Sequence, residues 1–204
     1  MTALPAFTDG QGLRERKKAR TRASLREHAL RLFREQGYQA TTIEQIAAAA
    51  EVSPSTFFRY YPTKEDLVLQ DEFDVYVMEA FERQPLDMPP LAAIRAAMRT
   101  GFATLTPADL EELALTSRLT HEVPEIRARS LDEFNRTIRK LAEALARRTG
   151  RSPDDLAVRA LTGAVFGVIM TVTMFGEPGE VPVGPEMFER IDAGLALLED
   201  GLPL

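Results

Sequence analysis

Residues 41–64 read TTIEQIAAAAEVSPSTFFRYYPTK, a stretch dense in helix caps and helix-bounding prolines. Ile43, Ile46, Ala47 and Ala50 form a short apolar stripe at helical spacing. Thr41 or Thr42 can cap that helix, with Glu44 or Gln45 three residues on to close a capping box. Ser53-Pro54 places a cap before a first-turn proline, where the missing amide proton costs nothing. The helix that follows is brief, about 54–61, because Pro62 cannot extend it. Thr63 caps a further helix, with Asp66 adding charge at its positive end. Two short helices joined by a tight turn make a helix-turn-helix pattern.

The same signals continue outward in both directions. Upstream, Leu25, Ala29, Leu32 and Phe33 line one face of a first helix that stops at Gly37, a residue that accepts positive φ. Downstream, the helix capped by Thr63 is expected to run to about Arg83, and residues 84–90, with three prolines, break it. Thr106-Pro107-Ala108-Asp109 and Ser152-Pro153-Asp154-Asp155 each offer cap, proline and acid for a later start. Pro124 and Pro185 suit first turns, and Gly150 suits the end of the long helix begun near Pro124. The expected architecture is all-α, about nine helices, with no alternating strand run.

Composition narrows the function. The chain has 204 residues, 45% hydrophobic and 27% charged, which excludes wholesale disorder. Without cysteine there is no disulfide framework, zinc-thiolate site or Cys nucleophile. His28 and His121 alone do not make a histidine metal site, and no metal or other cofactor is expected. The longest uncharged run, 160–176, has 17 residues and three threonines, short of the ~20 a membrane span needs. The opening MTALPAFTDG lacks a basic region followed by an apolar run, so no secretory signal and no membrane partner are expected, and the expected location is cytoplasmic. Charge is uneven: residues 1–64 carry 11 Lys and Arg against 6 Asp and Glu, and residues 65–204 carry 14 against 25. Seven bases (Arg14, Arg16, Lys17, Lys18, Arg20, Arg22, Arg26) with one acid, Glu15, form a basic arm beside an acidic body. That reads as a polyanion-binding end or as a solvated helix face.

The side chains of 41–64 suit DNA. A helix fits the major groove, and its N-terminal residues meet base edges. Ser53, Ser55 and Thr56 are short hydroxyl donors there. Arg59 can reach guanine or phosphate with a planar fork. Tyr60 can stack on a sugar or a thymine methyl. Lys64 and Thr42 stand where free helix amides favour a phosphate.

The spacing Leu32-Phe33-x3-Gly37-Tyr38-x2-Thr41-Thr42-x3-Ile46-Ala47-x2-Ala50-x-Val52-Ser53-x2-Thr56-Phe57-x2-Tyr60-Tyr61-x2-Lys64-Glu65-x-Leu67 resembles the tetracycline-repressor (TetR) family of bacterial regulators, over about residues 20–70. The resemblance implies a three-helix DNA-binding head with its recognition helix at 54–61, a helical ligand-binding body and a homodimer. It also implies phosphate contacts at Thr42, Thr56 and Lys64, and groove-facing positions at Ser53, Pro54, Ser55, Arg59 and Tyr60. Arg22 and the rest of the arm would follow the backbone or enter the minor groove. Three positions depart from the family pattern. Glu51 stands where Gly is usual, which asks for an α-helical or slightly strained turn and places an acid near DNA. Ser55 replaces a frequent Gly, and Phe58, still placed on the DNA side, replaces a frequent Tyr and loses a hydroxyl. The wording of 54–65 is similar to a branch associated with acyl-CoA-like effectors.

The expected layout is a disordered arm at 1–13, a DNA-binding domain at 14–64 with its motif at about 41–60, and a ligand-binding and dimerisation domain at 65–204. The 64–83 helix would be the lever between them. Met98, Phe102, Phe134, Phe166, Met170 and Phe175 are candidates for an adaptable apolar pocket, with Arg118 and His121 as polar candidates beside it. Gly163 and Gly167 suit close helix packing, and a dimer seam is expected there with Met187, Phe188, Ile191, Leu195 and Leu198. The leading function is a ligand-responsive regulator, a repressor that binds a palindromic operator as a homodimer and is released by a largely apolar effector. It would be bacterial and nucleoid-associated when bound. An enzyme finds no nucleophile–base pair, metal cluster or dinucleotide fingerprint to stand on. The alternative is a helical protein-interaction scaffold with the basic arm as a tail.

Overall fold

Ten helices occupy the residues that the computed structural model describes (12–69, 73–174, 182 and 184–203), and no strand occurs among them. The chain divides into two compact units, Met1–Gln70 and Asp71–Leu204. The basic arm begins the long α1 (Leu13–Gln36), so it is helical from Leu13 onward; the expectation of disorder at 1–13 falls almost wholly outside the described residues.

In the first unit α1 is followed by α2 (Ile43–Ala49), α3 (Pro54–Tyr60) and the single turn α4 (Asp66–Leu69). Leu25, Ala29, Leu30 and Phe33 are buried, and Gly37 ends α1 at φ +87°. Thr42 is the α2 cap: its Oγ1 accepts from the Gln45 amide at 3.2 Å, and Gln45 Oε1 accepts the Thr42 amide at 2.9 Å. Asp66, fully buried, accepts from the amide and hydroxyl of Thr63, each at 3.0 Å, and so closes the cap of α4 as expected. Arg26 Nε donates to the Leu67 carbonyl at 3.1 Å, which ties α4 to α1 and places it in this unit. The expected single helix to Arg83 therefore contains two described helical runs, α4 and α5, with 70–72 outside the described residues.

The second unit contains α5 (Phe73–Glu82), α6 (Pro90–Ala103), α7 (Pro107–Glu122), α8 (Pro124–Thr149), α9 (Leu156–Thr173) and α10 (Pro185–Glu199). Prolines open α6, α7, α8 and α10. Thr106 and Asp109 form a reciprocal capping box on α7. Gly150 ends α8 in the left-handed region at φ +67°. The 152–155 signal acts one turn later than expected: Ser152–Asp155 is a turn, and Asp155 itself caps α9 by accepting the Ala157 amide at 2.8 Å. That bond, with Arg151 beside it, holds the Asp155 carboxyl below its ordinary range.

Leu145, Val165, Ile191 and Leu195, nearly fully buried, form the centre of one apolar core with Ala93, Ala97 and Phe81. The α9–α10 approach is close because Gly194 has no side chain; a Cβ there would lie 2.6 Å from Val168 Cγ1. At its rim, Arg95 on α6 reaches Asp192 at 3.0 Å and also Glu199, and Arg99 reaches Asp192 at 2.9 Å. By length and composition α9 could cross a bilayer, but its Val158, Thr162, Val165 and Phe166 are buried within this core.

Candidate nucleic-acid interface

Successive residues of α3 turn by about 100°. Phe57 is therefore carried inward, fully buried, while Ser55 and Arg59 point away from it and Pro54 and Phe58 line one flank, all four exposed. Thr56 and Tyr60 lie half-buried on the flanks. Tyr61, buried just past the helix, packs its ring 6.1 Å from that of Phe57, and its hydroxyl donates to the Arg22 carbonyl at 3.2 Å. Phe57 anchors α3 from beneath, and the Tyr61 hydroxyl ties the residue after it to α1.

The start of α3 is a mesh of hydroxyls. Ser53 Oγ accepts the Thr56 amide at 3.2 Å and lies 2.8 Å from Ser55 Oγ and 3.0 Å from Thr56 Oγ1. Arg59 lies with its guanidinium 5.2 Å from the Tyr60 ring centroid, a cation–π contact that pre-orders the fork. Phe58 is 53% exposed and sits edge-on to Phe57 at 5.4 Å.

The turn before α3 depends on Glu51. Its φ is +55°, and the Glu51 amide donates to the Ala48 carbonyl at 3.1 Å while the Val52 amide donates to Ala47 at 2.9 Å. This is the bonding of a Schellman motif, whose left-handed residue is usually Gly. Of the two turns that Glu51 allowed, α-helical or strained, the structure has the strained one.

Lys64 is turned toward its own unit. Its ammonium donates to the carbonyls of Tyr38 at 2.9 Å and Thr41 at 3.0 Å and lies 3.9 Å from the centroid of the Tyr38 ring. In this structure the ammonium braces the turn between α1 and α2. Tyr38 in turn donates its hydroxyl to Glu65 Oε1 at 2.7 Å. Burial pushes the Glu65 carboxyl up, but the Tyr38 hydroxyl, its own backbone, Thr63 and the Lys64 charge together hold it below its ordinary value. Thr42 stays exposed at the cap of α2. Along α1, Arg14, Arg16, Lys17, Lys18, Arg20 and Arg22 are exposed, with the Arg22 guanidinium 4.9 Å from the Tyr61 ring. Arg26 is the exception, drawn in to cap α4. Neither the Lys64 brace nor the Arg26 cap has a sequence signal; both acceptors lie more than twenty residues away.

The residues expected to hold a ligand do not form one site. Met98 and Phe102 line a cavity of about 260 Å³ between α6 and α10, with Arg99, Phe188, Glu189 and Asp192. Its floor is aromatic, the Phe102 and Phe188 rings 3.8 Å apart and Phe73 5.2 Å from Phe188. Phe134 and Phe166 meet edge-to-face at 6.3 Å inside the core, away from that cavity. Met170 is half-buried on α9 and Arg118 exposed on α7. His121 is in the last turn of α7, where its carbonyl accepts from Arg127. Phe175 lies outside the described residues.

The expected dimer seam also divides. Met187, Phe188, Ile191 and Leu195 are buried in the protomer's own core and Leu198 packs against it, so they are not a surface. The stripe faces inward because α10 must cover α6 and α9. Gly163 and Gly167, by contrast, are exposed, with nothing within 4 Å of where a Cβ would stand. They share their face of α9 with Leu156, Ala160 and Thr171, and α10 adds exposed Ala193 and Leu197.

Known proteins resemble the chain over both units. The family described as "Bacterial regulatory proteins, tetR family" matches residues 25–70, and the one described as "MftR C-terminal domain" matches 88–203. The HTH-type transcriptional regulator TcmR of Streptomyces glaucescens is 37% identical over 197 residues, 93% of this chain and 83% of TcmR. Among solved structures, Thermus thermophilus FadR in complex with lauroyl-CoA aligns with a TM-score of 0.55 at 24% identity, covering 90% of this chain and 95% of that one. FadR from Bacillus halodurans aligns with a TM-score of 0.56 at 19% identity, covering 90% and 96%.

Proposed function

Since this chain belongs to the TetR family of helix-turn-helix, DNA-binding transcriptional regulators, we propose that it is a ligand-released repressor that binds a palindromic operator as a homodimer, with α3 as the reading element. The observation that carries this is the outward face of α3: Pro54, Ser55, Phe58 and Arg59 exposed on a helix anchored from behind by Phe57 and Tyr61. Ser53, Thr56 and Tyr60 complete the contact from its flanks, and Thr42, Arg22 and the exposed bases of α1 meet phosphates. Lys64 acts through the turn it braces. The 14–64 segment is the DNA-binding domain of this reading and 65–204 the effector and dimer domain.

The dimer forms through α9. Exposed Gly163 and Gly167 let a second helix approach closely, and burying Leu156, Ala160, Ala193 and Leu197 beside them removes apolar surface from water. Two copies would set their reading helices about 34–36 Å apart, in successive major grooves. The effector has an apolar body seated over Met98, Phe102 and Phe188, with Arg99 at the rim for an anionic group. An acyl-CoA is the class to test first, because the similarly folded T. thermophilus FadR was solved with lauroyl-CoA. A coupling of about 1–3 kcal/mol between effector and DNA would change operator affinity about 5–150-fold. Such a regulator works in the cytoplasm, at the nucleoid when bound.

The test is a footprint on a duplex that the wild-type chain selects from random sequence. Arg59→Ala combined with Tyr60→Ala should abolish protection while leaving helical content intact; an unchanged footprint would sink the assignment of α3. Gly163→Arg with Gly167→Arg should shift sedimentation from dimer to monomer. Failure of wild type to select any sequence would favour the scaffold reading instead.

A further inference from the structure

Among the described residues of the first unit, Phe58 is the one large apolar side chain that is exposed. Its position is not slack. The ring is held edge-on against Phe57, which is fully buried. One turn earlier on the same side of α3 stands Pro54, also exposed. The outward face of the helix is therefore two parallel rows: an apolar row, Pro54 and Phe58, and a polar row, Ser55 and Arg59. About half of the phenyl ring faces solvent, beside the exposed Pro54. It cannot donate a hydrogen bond to phosphate. In a major groove, the one apolar feature among base edges is the C5-methyl of thymine.

We infer that Pro54 and Phe58 form an apolar ridge that reads thymine methyl groups, one contact or more per half-site, and that Phe58 is the specificity-determining residue for them. This rests on the assignment of α3 as the reading helix. The polar row fixes a neighbouring purine through the Arg59 fork. The ridge sets a sequence preference that hydrogen bonding alone would not, because uracil and thymine offer the same donors and acceptors and differ only by the methyl.

The experiment uses the full chain and a duplex selected by it from a random pool. Each dT of a half-site is replaced in turn by deoxyuridine, which removes only the methyl. Wild type should lose about fourfold in affinity at one or two positions, the effect of leaving one methyl-sized group exposed. Phe58→Ala should bind the thymine and uracil duplexes equally, and Phe58→Leu should keep part of the difference. Since Phe58 is half-exposed, circular dichroism of Phe58→Ala should match wild type. Equal wild-type affinity for every thymine–uracil pair, with operator selection intact, overturns the inference alone. An undiminished thymine preference in Phe58→Ala overturns it too. If wild type selects no sequence, both this inference and the reading of α3 fail.

Discussion

At the scale of single residues, two side chains of the head hold positions that cost free energy or spend charge. Glu51 sits in the left-handed region at φ +55°, which penalises a residue with a Cβ by about 1–2 kcal/mol. Glycine has no such penalty but loses more chain entropy on folding. Glu51→Gly should therefore raise the stability of the head by about 0.5–1 kcal/mol, seen as a higher urea midpoint in the near-ultraviolet signal of Tyr38, Tyr60 and Tyr61. Removing an acid beside α3 should also tighten DNA binding. A lower midpoint would mean that the Glu51 side chain makes a contact worth more than its strain. Lys64 tells the reverse story. Its ammonium satisfies the Tyr38 and Thr41 carbonyls, so Lys64→Met leaves two part-buried acceptors without their charged donor. A loss of about 1.5–3 kcal/mol is expected, with faster amide exchange at 37–42. A purely phosphate-binding lysine would leave that exchange unchanged.

At the scale of elements, the helix starts and stops of this chain are local. Thr42, Thr63 and Thr106 cap where their three-residue partners say they should, since both halves of each bond lie within one turn. Ser152-Pro153 misleads because a second acid follows at once. Asp155 competes for the same role and wins, with Ser152 left to close the preceding turn. Packing between elements is a different matter. Gly194 and the pair Gly163 and Gly167 look alike along the chain, yet only Gly194 touches a neighbouring helix. Gly194→Val would drive two methyls into Val168, and should cost about 1–3 kcal/mol, or several degrees in the melting temperature. Gly163→Ala has nothing within 4 Å to meet inside its own chain, so any loss it causes should come only from the proposed dimer contact and vanish at concentrations where the chain is monomeric. Calorimetry as a function of protein concentration separates the two cases: a concentration-independent loss in Gly163→Ala would contradict the assignment of α9's outer face.

For the molecule as a whole, pH dependence follows from two carboxylates in different units. The Asp192 carboxyl is lowered chiefly by its hydrogen bond to Arg95, against the opposing effect of burial, and then by Arg99. The Arg95 guanidinium is raised by the same bond, against its own desolvation. A carboxyl whose folded pKa lies below its unfolded value binds protons more readily when unfolded. Its contribution is therefore complete above the unfolded value and is lost as pH falls through the folded one, so the α6–α10 pairing should weaken below about pH 4. Glu65 acts in the same direction in the head. Arg95→Met should flatten the acid limb of a melting-temperature profile for the second unit and leave the neutral limb merely shifted. An unchanged acid limb would show that Asp192 is not coupled to folding. The same rim, at 34% side-chain exposure for Asp192, is partly screened by solvent, so the effect should shrink with added salt.

Helix identity, the order of helices, the turn at Glu51 and the short α3 all follow from short-range rules: apolar period, caps, proline and the steric cost of a Cβ at positive φ. These act within a few residues, and so the residues of 41–64 sufficed to place the helix-turn-helix and the exposed face of α3. Which apolar stripe lies inward and which faces out depends on what else competes for burial, and periodicity alone carries no such information. Met187, Ile191 and Leu195 have the spacing of a seam but cover α6 and α9, while the smooth face of α9 with Gly163 and Gly167 is left open. Lys64 and Arg26 likewise have the charge of phosphate binders, and only the folded chain brings carbonyls from 26 and 41 residues away close enough to claim them.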